Sequence, residues 1–449
     1  MNEGPLLSIL AKAIVRNPHR SRQCGLVRAL AFAALPFVAA TAHAGGIMLY
    51  EVGTEDVGLA SAGYTARAQD ASTVFTNPAG MTRLEGNQLT LGSQMLYADL
   101  GLSIGSGTSP GLGRNDGGNP VGWFPGGGFF YSYSVSRDLK LGMAMSGNFG
   151  LVEAYDAGWV GRYYGLESTL LGVSFLPSVA YRVNDRLSLG VSLNAMYGKF
   201  KNIVAVNNIV GPDGQLELDA DKWGFGANVG LLYEVDSGTR FGFTYNSAVK
   251  LDFSAPAQFS GIAPGVEALL RARGLLDANV DVGMTVPQGI NASVYTQIDP
   301  RWALLGSVGW QQWSKFGKLD VGVASNDPVS LTTELDYKDT WHVAAGAQVR
   351  ISEPWRLDFG VAYDSAFQDS ANVPVLLPAN SAWRFGIGVQ KQQSNTFSWG
   401  AAFEYAYGGT LDVNARSSVP VVAGGRGDLS GSLPDTGSFF FAANFNWKL

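Results

Sequence analysis

Across residues 87–449, large apolar side chains take every second position in segments about ten residues long. Leu187, Leu189, Val191, Leu193, Ala195 and Tyr197 alternate with Ser188, Gly190, Ser192, Asn194 and Met196. Trp223, Phe225, Ala227, Val229, Leu231, Tyr233 and Val235 alternate with Gly224, Gly226, Asn228 and Gly230. Further copies run through Trp355, Leu357, Phe359, Val361 and Tyr363, through Trp383, Phe385, Ile387 and Val389, and through Phe397, Trp399, Ala401, Phe403, Tyr405 and Tyr407. A period of two sends each set to its own face of a β-strand. In a soluble sandwich the outward set is charged. Here the second set is Gly, Ser, Asn and Ala, only 15% of the chain is charged, and aromatic residues gather at segment ends. An apolar belt rimmed by aromatics, with small residues turned inward, describes a β-barrel in a membrane.

The segments place strands near 87–98, 124–135, 138–149, 169–183, 186–201, 222–235 and 239–253, then near 279–298, 301–314, 332–351, 355–367, 381–391, 395–408 and 437–449. That is fourteen, and even, as bacterial single-chain barrels require. Short turns such as Asn184-Asp185 and Asp236-Ser237-Gly238 alternate with long connections at 99–123, 254–278 and 409–436. The short turns belong at the periplasmic rim and the long loops outside. No stretch after Gly45 approaches 18 consecutive apolar residues, so no helical span is expected. The expectation is an all-β, 14-stranded antiparallel transmembrane β-barrel over residues 87–449. It would sit in the bacterial outer membrane, in contact with lipid and lipopolysaccharide.

Residues 1–44 read as a secretory signal peptide. Lys12, Arg16, Arg20, Arg22 and Arg28 precede an apolar run at 29–40, and Ala42-His43-Ala44 supplies small residues before Gly45. Without this leader the chain loses Cys24 and two of its three histidines, keeping His342. A Cys- or His-rich metal site, a cysteine nucleophile and a disulfide framework are thereby excluded, and no metal or other cofactor is expected. The leader carries a net +4, so the overall −6 leaves −10 on the remainder, with no basic cluster to attract nucleic acid. Asp277, Asn279 and Asp281 begin like a calcium loop, but Val282 stands where Gly is needed and Gln288 where the closing Glu belongs.

Residues 45–86 break the alternation and are rich in Gly and Ala. A segment too small to bury a core of its own, placed before the first strand of a barrel whose lumen must be filled or wet, reads as a plug. A periplasmic tail is the alternative.

Within this segment, Val57-Gly58-Leu59-Ala60-Ser61-Ala62-Gly63-Tyr64 and Asp70-Ala71-Ser72-Thr73-Val74-Phe75-Thr76-Asn77-Pro78-Ala79-Gly80 resemble the amino-terminal hatch of the FadL-type long-chain fatty acid transporters, a family that includes TodX-type hydrocarbon channels. The resemblance continues through Asn148-Phe149-Gly150-Leu151, Asn194-Ala195-Met196-Tyr197, Trp310-Gln311-Gln312-Trp313-Ser314-Lys315-Phe316 and Val361-Ala362-Tyr363-Asp364. It implies a monomeric plugged barrel, a transporter rather than an enzyme. Such a barrel would take up hydrophobic small molecules passively and release them sideways into the membrane. By the same resemblance the hatch gate falls on Asn77, Pro78 and Ala79, where Asn before Pro also suits a plain turn. The lateral exit, a kink in the third strand, falls on Asn148, Phe149 and Gly150, where an ordinary strand end is the alternative.

For ligand capture, Val266, Leu269, Leu270 and Arg273 follow helical spacing within 261–276, with Arg271 beside them. An exposed apolar ridge with cations suits a fatty acid tail and its carboxylate, and a loop helix packed on its neighbours is the alternative. The family's pocket arginine corresponds here to Val204, so Lys199 and Lys201 nearby are the candidate carboxylate partners. An uncharged aromatic or alkane hydrocarbon stays open beside a fatty acid. Two rivals remain. A general porin would need opposed charged rings in its lumen, and the inward positions are mostly Gly, Ser, Asn and Ala. A membrane-embedded esterase would need a nucleophile beside His342, which follows the outward-facing Trp341 and therefore points inward.

Overall fold

The computed structural model describes residues 48–276, 278–324, 329–368, 373, 376 and 378–449, those at 329–334 by backbone alone. The signal peptide expected at 1–44 and Asp277 lie outside the described residues.

Fourteen strands form the ring. The first seven are β1 (Gln88–Asp99), β2 (Gly122–Ser134), β3 (Leu139–Ala154), β4 (Glu167–Arg182), β5 (Leu187–Val206), β6 (Gly214–Glu234) and β7 (Thr239–Asn246). The others are β8 (Gly289–Gln297), β9 (Trp302–Gln311), β10 (Thr340–Ser352), β11 (Trp355–Asp364), β12 (Ala382–Gln392), β13 (Phe397–Ala415) and β14 (Leu429–Lys448). Each pairs antiparallel with the next, and β14 returns to β1 from Gln88↔Lys448 to Asp99↔Gly437. Closure gives every strand two neighbours, the condition for β-structure in lipid.

The outward positions are those of the large apolar set. Leu193, Phe225, Val343 and Phe385 are each half or more exposed, as side chains facing lipid must be when the chain is considered alone. Aromatic pairs rim the belt at both ends: Tyr97 with Trp123 and Tyr363 with Trp383 on the outer side, Trp355 with Trp399 and Phe397 with Trp447 on the inner.

Three expected strands are shorter than their alternation, and the one near 332–351 joins the ring only at Thr340. The segment at 239–253 leaves the barrel after Asn246, and that at 279–298 joins it only at Gly289. Val249–Pro256 and Asn279–Val286 instead pair with each other, and with Lys318–Val323 and Val329–Glu334 they make a separate four-stranded sheet. Their alternating residues Val249, Leu251, Phe253, Val280, Val282 and Met284 are buried in an apolar cluster over the lumen. The period of two therefore continues across a change of sheet, and alternation alone could not mark where the membrane ends.

Residues 50–84 lie inside the ring and are almost all buried. They fold as short turns of helix: α1 (Thr54–Gly58), α2 (Thr73–Thr76) and a 3₁₀ turn at Pro78–Arg83. The small inward residues of the wall are what admit them. Gly346, Gly360 and Gly386 stand side by side on β10, β11 and β12. A Cβ on Gly360 would run into the backbone of Leu59, and one on Gly386 into the carbonyl of Val57. Across the lumen, Gly190 pairs with Gly230, and these make room for Ala79 and Asn77.

Candidate functional site

On β3 the inward positions follow even numbers as far as Ser146. Against β4 the register then slips: Gly147 pairs with Val173 and Phe149 with Gly172, leaving Asn148 as the extra residue of a bulge. Gly150 completes it at φ +123°, where a Cβ would strike the Leu170 carbonyl, so only glycine fits. The bulge reverses the parity and turns Phe149 inward, edge-on to Phe316 at 6.1 Å. The strand thus carries a bulge at Asn148 to Gly150.

Its other edge is open. The last pair between β2 and β3 is Gly128↔Ser146, whereas β2 continues beside β1 to Gly122. Among the described residues, backbone pairing between the two resumes where Ala154 N–H donates to the Pro120 carbonyl at 2.8 Å. In between, Leu49 N–H donates to the Asn148 carbonyl at 2.8 Å and Met48 bridges Phe149. The leading residues of the hatch thus lie along the edge that β2 leaves. Unpaired backbone facing hydrocarbon costs several kcal/mol per group, which makes this cover a structural requirement.

Asn77 clasps the hatch to the opposite wall. Its Nδ2 donates to the Thr65 carbonyl (2.7 Å) and to the Leu231 carbonyl of β6 (3.0 Å), while Oδ1 accepts from Ala79 N–H (3.1 Å). Pro78 opens the 3₁₀ turn, where its missing N–H costs nothing. One amide at the start of this turn therefore ties Thr65 and Ala79 of the hatch to Leu231 of β6.

Above the hatch, Phe149, Leu170, Met196, Phe200, Leu251 and Phe316 belong to one apolar cluster. The helix expected at 261–276 is α3 (Pro264–Ala272), but its ridge is not exposed. Val266 and Leu270 are buried in the same cluster and Leu269 packs against it, because an amphipathic helix beside an apolar surface buries its apolar face. Arg271 and Arg273 remain at the surface, Arg271 paired with Glu267 at 2.8 Å. The lysines also differ from expectation. Buried Phe200 faces the lumen, so Lys199 and Lys201 on either side of it point outward, beyond the Tyr197–Trp223 pair. Lys199 pairs with Asp219, and Lys201 with Glu167 at 2.8 Å. Neither is placed to meet a carboxylate in the lumen, and Val204 is an inward apolar residue.

Two buried charge networks hold the hatch. In the upper one, Arg384 Nη1 pairs with Glu51 of the hatch and with Glu404 (2.9 Å), while its Nε pairs with Asp364 (2.5 Å). Asp364 in turn holds His342 Nδ1 at 2.7 Å, and the imidazole stacks on Tyr50 at 4.3 Å. His342 points inward as its parity requires. The sequence signal for the rest was available: Asp364, Arg384 and Glu404 are ionisable residues on otherwise small inward positions. In the lower network Arg67 pairs with Glu55 (2.8 Å) and Asp56 (2.5 Å), and Arg356 with Glu55 and Asp358 (2.9 Å).

The lower network borders a cavity of about 330 Å³ at the periplasmic rim, lined also by Gln69, Asp70, Arg350 and Lys391. Burial, helped by the neighbouring Glu55 charge, pushes Asp70 up to about 6 although Ser72 hydrogen-bonds it. A raised carboxyl stabilises the fold below its unfolded value near 4, and that contribution is lost as pH rises through about 6. Asp70→Asn should therefore match the parent at pH 4 and exceed it at pH 8 by up to about 3 kcal/mol. Denaturant-dependent cleavage of the hatch by protease at the two pH values reads this. Equal gains at both would refute the titration.

A closed 14-strand ring with an apolar outer belt, holding residues 50–84 almost entirely buried, defines an outer-membrane barrel. The sequence profile of a family described as outer membrane protein transport protein (OMPP1/FadL/TodX) matches residues 35–447. The chain belongs to this family. It is 26% identical over 421 residues to the long-chain fatty acid transport protein of Escherichia coli (strain K12), covering 85% of this chain and 92% of that one. It is 28% identical over 390 residues to outer membrane protein P1 of Haemophilus influenzae, covering 76% and 82%. Among solved structures, a Pseudomonas aeruginosa FadL homologue superposes with a TM-score of 0.79 at 19% identity, covering 90% of this chain and 99% of that one. The P. putida toluene transporter TodX superposes with a TM-score of 0.67 at 16% identity, covering 89% and 99%.

Proposed function

We propose that this protein is a passive, monomeric uptake channel for long-chain fatty acids or similar hydrophobic compounds, and that it releases them sideways through the open edge of β3. The single observation that carries the reading is that edge, where β2 and β3 part above Ser146 and, among the described residues, Met48 and Leu49 lie along it. The outer face meets lipid and lipopolysaccharide, and the chemistry is transport rather than catalysis. Burying a methylene is worth about 0.8 kcal/mol, so a tail of roughly 15 methylenes gains up to about 12 kcal/mol in a fully apolar site. A site using all of that would hold its ligand for good. Release therefore needs the cluster to loosen and an exit into lipid. The hatch couples the two, since its leading residues close the edge while Asn77 holds its far end to β6.

Deleting Asn148 to Gly150 removes the bulge and lets β3 continue beside β2. Uptake of labelled oleate should fall below a tenth of the parent's while the barrel keeps its heat resistance in detergent. Undiminished uptake would reject the lateral route.

A second reading, an aromatic or alkane hydrocarbon as substrate, is favoured by one observation: Lys199 and Lys201 face away from the lumen and Val204 lines it. Growth of a deletion strain on oleate against an aromatic hydrocarbon separates the two.

A further inference from the structure

We propose that the lumen contains a subsite for an uncharged hydrogen-bonding head group, formed by Thr65 of the hatch with Asn194, Asn228 and Thr244 of the wall. The inference rests on the uptake reading and adds the chemical class of ligand it would favour.

The four residues converge by register. Asn228 of β6 pairs with Ser192, and Gly226 with Asn194, so Asn194 is the diagonal neighbour of Asn228 on the inner face. Toward β7, Asn228 pairs with Asn246 and Gly230 with Thr244, which makes Thr244 its diagonal neighbour on the other side. The Thr65 carbonyl occupies the space that Gly242 leaves open, two positions from Thr244. Below lies Asn77, seated against Gly230; above lie Ser247 and Val249, folded over Gly226, and Val249 belongs to the apolar cluster. The group thus stands between the gate and the apolar cluster.

These side chains are unspent. Oγ1 of Thr65 and Thr244 and Oδ1 of Asn194 and Asn228 are buried without a hydrogen-bond partner. Thr65 and Thr244 are 1% exposed and Asn228 is 6% exposed. Buried polar atoms are nearly always paired, so four orphans on adjoining positions mark a place prepared for a partner from outside the chain. Two amides and two hydroxyls carry no charge, and two of the orphans are carbonyl oxygens that require a donor. A carboxylate brings a charge and acceptors only. An alcohol or an undissociated acid brings a donor and no charge. Arg240, the cation on the same strand as Thr244, is already committed to the Ala66 and Arg67 carbonyls and lies over Tyr295 at 3.7 Å.

The test compares uptake of labelled 1-hexadecanol, hexadecane and palmitate at pH 8 by a host carrying the full-length protein, against the same host without it. The protein should favour hexadecanol over hexadecane and palmitate at least tenfold. Asn228→Leu with Thr244→Val should erase the preference over hexadecane while hexadecane uptake stays within twofold of the parent. Thr244→Ser, which keeps the hydroxyl, should retain it, and supplies the control should the double variant fail to assemble. A parent that treats alcohol and alkane alike, or a Thr244→Val single variant with undiminished preference, overturns the subsite and leaves the channel intact. A parent that takes up none of the three overturns the uptake reading as well.

Discussion

Replacing Gly360 by valine should leave the barrel assembled but its hatch unseated. The new side chain points inward, where its Cβ meets the backbone of Leu59 and Ala60 rather than a movable side-chain tip. Gly346 and Gly386 on either side receive Ala62 and Val57 of the same hatch segment, so the row has no slack to absorb the extra volume. Overpacking of this kind costs typically 1–3 kcal/mol, and more where backbone must move. The outward face and the strand ladder are untouched. A cysteine placed at buried Ala71 in the hatch then serves as reporter, and its maleimide labelling should run at least tenfold faster in Gly360→Val than in the parent. Gly306→Ala is the matched control, because a Cβ there meets Val294 at an ordinary 3.5 Å. Equal labelling in Gly360→Val and Gly306→Ala would mean that the hatch does not rest on the glycine row.

Arg384→Met should loosen the hatch still more. The guanidinium is enclosed, 1% exposed, with Glu51, Asp364 and Glu404 around it, and its removal leaves three buried carboxylates facing one another. Breaking a buried ion pair by deleting one partner costs about 3–5 kcal/mol. Of the three, Glu51 alone lies off the barrel strands, so the strain should be relieved by detaching the leading residues of the hatch. Those residues also cover the β3 edge through Leu49. Labelling of the Ala71 cysteine should rise more than a hundredfold, and adding Glu51→Gln should restore part of the loss by removing one of the stranded charges. If the two substitutions simply add, Arg384 and Glu51 are not coupled, and the upper network does not hold the hatch.

Much of this site was legible from parity alone. Once Tyr197 is outward, Lys199 and Lys201 are outward too, although their closeness to the family's pocket position drew them toward the lumen. His342 was placed inward by the same rule, from Trp341. Parity fails at Asn148, where one extra residue turns Phe149 over, and Gly150 is the local sign of the bulge. The α3 ridge has the spacing of an amphipathic helix in sequence, but spacing does not say whether its apolar face meets solvent or the cluster that includes Phe253 and Phe316.

Strand number, the lipid-facing set and the small inward set were determined by the sequence by itself, because side chains alternate along any extended backbone and each ten-residue segment carries the pattern locally. Which inward residues meet was decided only by tertiary structure. Arg384 finds Glu51 across 333 positions, and Leu49 finds Asn148, through ring closure, strand stagger and the fold of the hatch. Those depend on many weak non-local contacts summed together, and no short stretch of the chain records their total.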